Sequence, residues 1–152
     1  MKRPGNHKAF AKYQKTRRNH WDAIARRQDH WTSKGVCYHQ RMNEIYRFLV
    51  SPGKSVLEIG CGTGDLLAAV RPGQGTGIDF SEEMITRARK KYPGLRFIAC
   101  DIHELDLQET FDVIILSDIV NDLWDVQAAF RKVKELCKPE TRVIINLYSQ
   151  AW

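Results

Sequence analysis

The sequence predicts an open, doubly wound α/β fold, in which a mainly parallel sheet of strand order 3-2-1-4-5 follows a cap of helices. Short apolar runs recur at intervals of roughly 20 to 30 residues. Helical patterns separate these runs, and a glycine-rich loop follows the first of them. Strands that are apolar along their whole length and are joined through helices form parallel sheets, which are covered on both faces by right-handed crossovers.

The predicted elements follow in order along the second two thirds of the chain. The strands cover residues 55–59, 75–79, 95–100, 111–116 and 142–147. Helices are predicted between them at 65–70, 81–91 and 125–137. Ser81 suits an N-cap, and the acids and lysines of its helix lie at the ends where the helix dipole favours them.

Residues 1–54 are predicted to form a basic N-terminal arm and a helical cap, in one compact unit with a ligand-binding domain at 55–152. Residues 9–30 contain no proline or glycine, but their apolar positions follow no clean 3.6-residue period. Gly35 is expected to interrupt the chain before a better helix at 38–50.

Composition and charge exclude several classes of protein. The chain has 152 residues, 43% hydrophobic and 28% charged, which suits one soluble domain. It has no apolar run of the roughly 20 residues that a membrane span needs. Four widely spaced cysteines indicate free thiols in a cytoplasmic protein.

The net charge of +6 is concentrated in the arm. Nine Lys or Arg and one acid between residues 1 and 27 give +8, whereas 15 basic and 17 acidic residues give the remainder −2. Such an arm could contact nucleic acid or another anion, although a solvated helix is the simpler interpretation.

The stretch VLEIGCGTGDLL (residues 56–67) places Gly60, Gly62 and Gly64 directly after the first strand. Doubly wound folds bind ligands at this place. A dinucleotide fingerprint needs its third glycine one position later, where this chain has Asp65, and a carboxylate there would repel a pyrophosphate. Spacing and charge therefore argue against a dinucleotide.

A nucleoside ligand with a cationic centre, such as S-adenosylmethionine, suits the remaining acids better. Asp79 ends the second strand and can accept hydrogen bonds from both ribose hydroxyls, a feature that would serve NAD equally well. Asp101 ends the third strand, where it can accept from an adenine amino group. Glu58 ends the first strand and can face the cationic methionine end.

Four segments, VLEIGCGTGDLL, GTGIDFSEEMI, ACDIHELDL and FDVIILSDIVNDLWD, resemble in order and spacing the successive motifs of class I S-adenosylmethionine-dependent methyltransferases. The resemblance covers roughly residues 55–147 and implies a Rossmann-like domain with S-adenosyl-L-methionine as cofactor and S-adenosyl-L-homocysteine as product. The cofactor-binding residues that it implies are Glu58, Gly60, Cys61, Gly62, Gly64, Asp79, Phe80, Met84, Asp101, Ile102 and Ser117.

No catalytic residue is identified by the resemblance. Asp118, Asp122 and His39 are weak candidates for polarising or deprotonating the acceptor, and no metal is required. Cys61 is expected to be a small tolerated residue rather than a nucleophile, and His103 is expected to be solvated.

The sequence departs from the family pattern at its C-terminal side. It ends shortly after the fifth strand, where the family normally adds a helix and a two-stranded hairpin. An apolar fifth strand left at the sheet edge invites pairing with a second copy, which predicts a homodimer unless the chain is the front part of a longer protein.

The predicted function is methyl transfer to a small molecule or an envelope-sugar acceptor, since residues 34–53 also resemble methyltransferase domains linked to glycosyltransferases. A non-catalytic cofactor-binding module, or the front fragment of a longer enzyme, is one alternative. A nucleic-acid methyltransferase that uses the basic arm is another, and is disfavoured because LSDIVNDLW follows the fourth strand instead of an Asn-Pro-Pro-Tyr-like motif.

Overall fold

A five-stranded sheet runs through the molecule, and each pair of neighbouring strands is parallel. The computed structural model describes residues 6–27 and 33–147. The strands are β1 (Ser55–Ile59), β2 (Gln74–Asp79), β3 (Arg96–Ala99), β4 (Phe111–Ser117) and β5 (Cys137–Asn146). Their order in the sheet is β3-β2-β1-β4-β5, which confirms the predicted fold class and strand order.

Helices cover both faces of this sheet. They are α1 (Asn6–Arg27), α2 (Ser33–Leu49), α3 (Asp65–Ala69), α4 (Glu82–Lys91) and α5 (Val126–Glu135), with short 3₁₀ helices at Ile102–Glu104 and Val120–Asp122. Because strand side chains alternate between faces, β1 sends Val56 into a core shared with α2, α3 and α4, and Leu57 into a core shared with α5. No helix in the described part of the chain is long and apolar enough to cross a bilayer.

Two helices begin where side chains cap them, close to the predicted positions. The Ser81 hydroxyl accepts a hydrogen bond from the Met84 amide at 3.2 Å, at the start of α4. The Asp125 carboxylate accepts from the Ala128 amide at 2.9 Å, at the start of α5. Each cap satisfies one of the backbone donors that a first helical turn leaves unpaired.

The prediction that Gly35 interrupts the chain before a helix at 38–50 was wrong, because α2 already begins at Ser33. Gly35 lies in the first turn of that helix. Glycine costs a helix roughly 1 kcal/mol relative to alanine, which a helix of this length can tolerate. The sequence signal was therefore one of lower propensity and not of a boundary.

β5 is longer than predicted and begins at Cys137 rather than at residue 142. Phe111 pairs with Cys137 and Val113 pairs with Arg142, so the extra residues of β5 form a bulge. The Thr141 hydroxyl accepts from the Lys138 amide at 2.8 Å and donates to the Phe111 carbonyl at 2.5 Å. These bonds hold the segment against β4.

Candidate functional site

The glycine loop after β1 has a backbone that side chains would obstruct. Gly60, Gly62 and Gly64 all have positive φ, at 74°, 51° and 79°. A Cβ on Gly60 would lie 2.4 Å from Ile119, and a Cβ on Gly64 would lie 2.6 Å from the Phe97 ring. At Gly62 a Cβ would meet no atom within 4 Å. Gly60 and Gly64 are thus required by packing, whereas Gly62 lies beside open space.

Asp79 connects this loop to α4. One carboxylate oxygen accepts from the Gly62 amide at 3.0 Å, and the other accepts from the Ser81 amide at 2.9 Å. Burial raises the pKa of Asp79, the two amide bonds oppose that rise, and the nearby Asp22 carboxylate adds to it. A carboxylate oxygen has two lone pairs, so each one can still accept from a ligand hydroxyl. Asp79 therefore shapes the loop and remains able to bind.

Asp101 lies in a similar position after β3 and is held from two directions. Oδ1 accepts from the His103 amide at 2.9 Å and lies 2.6 Å from His103 Nδ1. Oδ2 accepts from the side-chain amide of Gln14 in α1 at 3.2 Å. Burial alone would raise the pKa of Asp101, but the bonds from His103 and Gln14 outweigh it and lower the pKa.

The prediction that His103 is solvated was wrong. Its side chain is only 10% exposed, and Nε2 lies 3.1 Å from the Asp125 carbonyl. The Phe10 ring of α1 packs edge-on against the imidazole at a centroid distance of 5.6 Å. The contacts with Asp101 raise the pKa of His103, more than burial lowers it. Phe10 and Asp125 are both distant from His103 in the sequence, which explains why no local pattern indicated these contacts.

Glu58 lies in β1 on the face covered by α2 and α3, and it is 3% exposed. Its Oε2 atom is buried and has no hydrogen-bond partner among the described residues. Burial raises the pKa of Glu58 well above its usual range, although a backbone bond at Leu67 opposes the rise. A buried carboxylate is costly unless a cation or donors compensate it. Glu58 thus suits a ligand that brings a cationic group.

The other predicted cofactor residues lie along the same carboxyl edge of the sheet. Phe80 follows β2 and is half-buried, Met84 is 4% exposed in the first turn of α4, and Ile102 is 5% exposed after β3. Ser117 ends β4. The structure therefore brings together residues from the ends of four strands, and their role in binding stays a prediction.

Cys61 is 6% exposed within the loop. Burial raises the pKa of the thiol well above its usual range, and the carboxyl groups of Glu58 and Asp79 raise it further. Since the thiolate is the reactive form, this cysteine is a poor nucleophile. The geometry agrees with a small residue rather than a nucleophile, as the sequence predicted.

The three weak catalytic candidates have different surroundings. Asp118 has a positive φ of 58°, and its carboxylate accepts from the Tyr38 hydroxyl and the Asn146 amide, both at 2.6 Å. Asp122 forms an ion pair with Arg17 of α1. His39 projects from α2 and is largely exposed, yet partial burial lowers its pKa in opposition to Asp65 and Asp118.

The bonds at Asp118 continue into the core. Asn146, the last residue of β5, accepts from the Tyr46 hydroxyl at 2.6 Å. Burial raises the pKa of Tyr46 to about 12. A chain of hydrogen bonds thus joins Tyr46, Asn146, Asp118 and Tyr38 and fixes the backbone turn after β4.

The contacts that α1 makes with this edge were not predicted from the sequence. The Tyr13 hydroxyl donates to the Asp122 carbonyl, and the Ser81 hydroxyl donates to Asp22. Tyr13, Gln14, Arg17 and Asp22 together form a polar face of α1 that is turned toward the sheet. The available signal was the position of Arg17, three residues after Gln14 and four after Tyr13.

Asp65 does not carry the unpaired charge that the sequence argument assigned to it. Its carboxylate accepts from Lys91 at 2.5 Å, from Tyr92 at 2.7 Å and from Thr63 at 2.6 Å. These bonds outweigh burial and lower its pKa. Because Lys91 pairs with the Asp65 carboxylate, the glycine spacing, and not the charge of Asp65, disfavours a dinucleotide.

The described residues contain no group of three or more His, Cys, Asp or Glu side chains that could hold a metal ion. A cavity of about 470 Å³ lies elsewhere, between residues 105–110 and α5, and none of the predicted site residues lines it. The fold and the carboxyl edge thus define a doubly wound α/β domain with acids at or near the ends of β1, β2 and β3.

Comparison with known proteins agrees with this description. Residues 50–152 match a family described as a methyltransferase domain. A ubiquinone biosynthesis O-methyltransferase of Bradyrhizobium diazoefficiens is 27% identical over 66% of this chain and 42% of its own length. A phosphatidylethanolamine N-methyltransferase of Cereibacter sphaeroides is 29% identical over 82% of this chain and 67% of its own length.

Solved structures show the same fold. N-methyltransferase NodS of Bradyrhizobium japonicum, in complex with S-adenosyl-L-homocysteine, gives a TM-score of 0.62 at 22% identity, over 70% of this chain and 60% of that one. A complex of the Haloferax volcanii methyltransferase activator Trm112 with a methyltransferase gives 0.69 at 23% identity, over 82% of this chain and 58% of that one.

The chain therefore belongs to the class I S-adenosylmethionine-dependent methyltransferases, and S-adenosylmethionine is its cofactor. It spans 42% of the length of the first curated relatives that it matches.

Gly62→Ala should weaken cofactor binding without unfolding the loop. Gly53→Ala is a matched control. Both glycines have positive φ and open space around a Cβ, but Gly53 precedes β1 at the opposite edge of the sheet. Each variant should lose about 1–2 kcal/mol of stability. Calorimetry with S-adenosylhomocysteine should show an affinity loss of about tenfold or more for Gly62→Ala alone. Equal affinities of the two variants would separate Gly62 from the ligand.

The contribution of the Asp101–His103 pair to stability should depend on pH. His103 has a raised folded-state pKa, so its contribution is complete below its unfolded value of about 6.5 and is lost as pH rises through the folded value. The difference in melting temperature between wild type and His103→Gln should therefore be largest below a pH of about 6.5 and shrink as the pH rises above the folded-state pKa. A difference that stays constant across this range would show that the imidazolium form adds nothing.

Proposed function

We propose that this chain binds S-adenosylmethionine at the carboxyl edge of its sheet and transfers the methyl group to a small-molecule acceptor. The main observation behind the proposal concerns Asp79, which joins an open glycine loop to the start of α4. Its oxygens keep lone pairs that can accept hydrogen bonds from the hydroxyls of a ribose. Asp101 at the end of β3 and the uncompensated Glu58 in β1 supply the two further groups that such a ligand needs.

Each part of the cofactor has a chemically suitable partner. Asp79 accepts from the ribose hydroxyls, and Asp101 accepts from the adenine amino group. Phe80, Met84 and Ile102 offer an apolar surface to the purine. Glu58 compensates the cationic methionine end, beside the backbone of Gly60, Cys61, Gly62 and Gly64, with Ser117 across from them on β4. Burial of the Glu58 carboxylate without a partner is costly. Pairing with the cationic end of the cofactor would relieve that cost and so contribute to cofactor affinity.

The cofactor supplies a methyl group on a sulfonium, which is already a good leaving group. The protein then has to align the acceptor atom in line with the methyl carbon and exclude water. α1 and α2 both close on the carboxyl edge, through Tyr13 and Gln14 on one side and Tyr38 on the other. These helices are the elements that exclude water, and their approach from both sides favours a small acceptor.

Proton removal from the acceptor is assigned to Asp118 after β4 or to His39 of α2. Asp118 is held in position by Tyr38 and Asn146, and its oxygens keep further lone pairs. His39 has a lowered pKa and is therefore neutral at physiological pH, so it can accept a proton. Asp122 is a weaker candidate because Arg17 already pairs with its carboxylate.

The proposal extends to the organisation and setting of the protein. Residues 1–54 act as a cap and 55–152 as the cofactor-binding domain, in one unit, because α1 contacts the ends of β2, β3 and β4. The four cysteines are free thiols, which suits a reaction in the cytoplasm. An envelope-sugar acceptor remains the narrower form of the proposal, supported by the resemblance of the cap segment.

The edge of β5 is the surface proposed for a second copy. Within the described residues β5 pairs with β4 alone. Val143, Ile145 and Leu147 are 38%, 43% and 59% exposed. Such an apolar edge favours strand pairing between chains.

The ligand test compares S-adenosylhomocysteine with NAD by calorimetry. The first should bind and the second should not at comparable concentration. Asp79→Ala should weaken the binding of S-adenosylhomocysteine by about 1.5–3 kcal/mol, because charge-assisted hydrogen bonds are lost. Asp106→Ala, at an exposed acid in the loop before β4, is the control and should have no effect. Binding of NAD in place of S-adenosylhomocysteine would overturn the proposed function.

The edge test measures mass in solution by light scattering. Wild type should have twice the chain mass of 17.6 kDa, and Ile145→Lys should be monomeric because a lysine would be buried in the joined edge. Val126→Lys is the control, since Val126 lies on α5 and is 42% exposed. This variant should remain dimeric. A monodisperse wild-type monomer would refute the second copy as the occupant of this edge.

A further inference from the structure

α1 has an inward face unlike that of a helix that covers an apolar core. Ala25 is fully buried on this face, but Tyr13, Gln14, Arg17 and Asp22 bring polar groups to it. Polar groups are buried against a protein surface when they have partners there. The partners of α1 are the ends of β2 and β3 and the turn after β4, where the cofactor is proposed to bind.

Gln14 is the residue of α1 that reaches the proposed adenine partner. Its side-chain nitrogen donates to Asp101 Oδ2 at 3.2 Å, while Oδ1 is occupied by His103. Phe10, one helical turn before Gln14, packs on the His103 ring. α1 therefore contacts both Oδ2 of Asp101 and the imidazole that orients the carboxylate.

The Gln14 amide beside the Asp101 carboxylate presents a donor next to an acceptor. Adenine has the complementary pair, an amino group that donates and an adjacent ring nitrogen that accepts. A nucleoside with a carbonyl in place of the amino group and a hydrogen on that ring nitrogen, as in hypoxanthine, reverses both roles. The two side chains together can thus distinguish the two bases, whereas Asp101 alone can test only one position.

We infer that Gln14 is a specificity-determining residue of the cofactor site, and that it reads adenine together with Asp101. The inference rests on the proposed function, because it needs the nucleoside to lie at Asp101. It assigns α1 a role in the binding site that reaches beyond the covering of the edge. Loss of the Gln14 amide would remove a donor to the base and leave the rest of α1 in place.

Tyr13→Phe provides a matched control for the docking of α1. Tyr13 also donates one hydrogen bond from α1 to the body, but its partner is the Asp122 carbonyl after β4. If Gln14 acts only by holding α1 down, the two variants should behave alike. Gln127→Ala, an exposed glutamine on α5, controls for the substitution itself.

The experiment measures the affinities of S-adenosylhomocysteine and S-inosylhomocysteine by calorimetry, with thermal melts to establish that each variant is folded. Wild type should prefer the adenine compound by about thirtyfold or more. Gln14→Ala should reduce that preference by about tenfold, mainly through weaker binding of the adenine compound. Tyr13→Phe and Gln127→Ala should leave the ratio of the two affinities unchanged.

The contrary outcomes are distinct. No binding of S-adenosylhomocysteine to wild type would overturn the proposed function and the inference with it. Binding with an unchanged ratio in Gln14→Ala, or with a ratio shared by Tyr13→Phe, would overturn the inference alone. Tighter binding of S-adenosylhomocysteine to Gln14→Ala would mean that Gln14 competes with adenine for Asp101, and would overturn it as well.

Discussion

The partly buried carboxylate of Asp79 forms the interactions on which the carboxyl edge depends. Its two oxygens hold the Gly62 amide and the Ser81 amide, so one side chain fixes both the loop after β1 and the start of α4. The Ser81 hydroxyl in turn caps α4 and binds Asp22 of α1. Loop, helix and cap are thus connected through the end of a single strand. Burial raises the pKa of Asp79, and the bonds that define the site oppose that rise.

Much of the sheet could be predicted because its determinants are local. Apolar runs marked the strands, and Ser81 and Asp125 marked the beginnings of two helices. The acids of the candidate site followed from their position, since residues at the carboxyl ends of parallel strands meet at one edge. These features need no knowledge of what lies across the fold.

The features that were not predicted depend on distant partners. His103 is buried because Phe10 and Asp125 cover it, and Asp65 is compensated because Lys91 reaches it from the end of α4. The α1 pattern lacked a clean hydrophobic period because its inward face contacts polar groups at the strand ends as well as the rings of His103 and Trp124. An amphipathic pattern is expected where the partner surface is wholly apolar, and this surface is mixed.

The contacts of α1 also set an order of assembly. Tyr13 and Asp122 are separated by 109 positions, and Gln14 and Asp101 by 87. Contacts between such distant residues require a large loss of chain entropy before they contribute stability. The docking surface of α1 is complete only when β4 has joined the sheet, because Asp122 follows that strand. We therefore expect α1 to be among the last of the described elements to reach its final place, with the positive charge of residues 1–27 favouring its solvation until then.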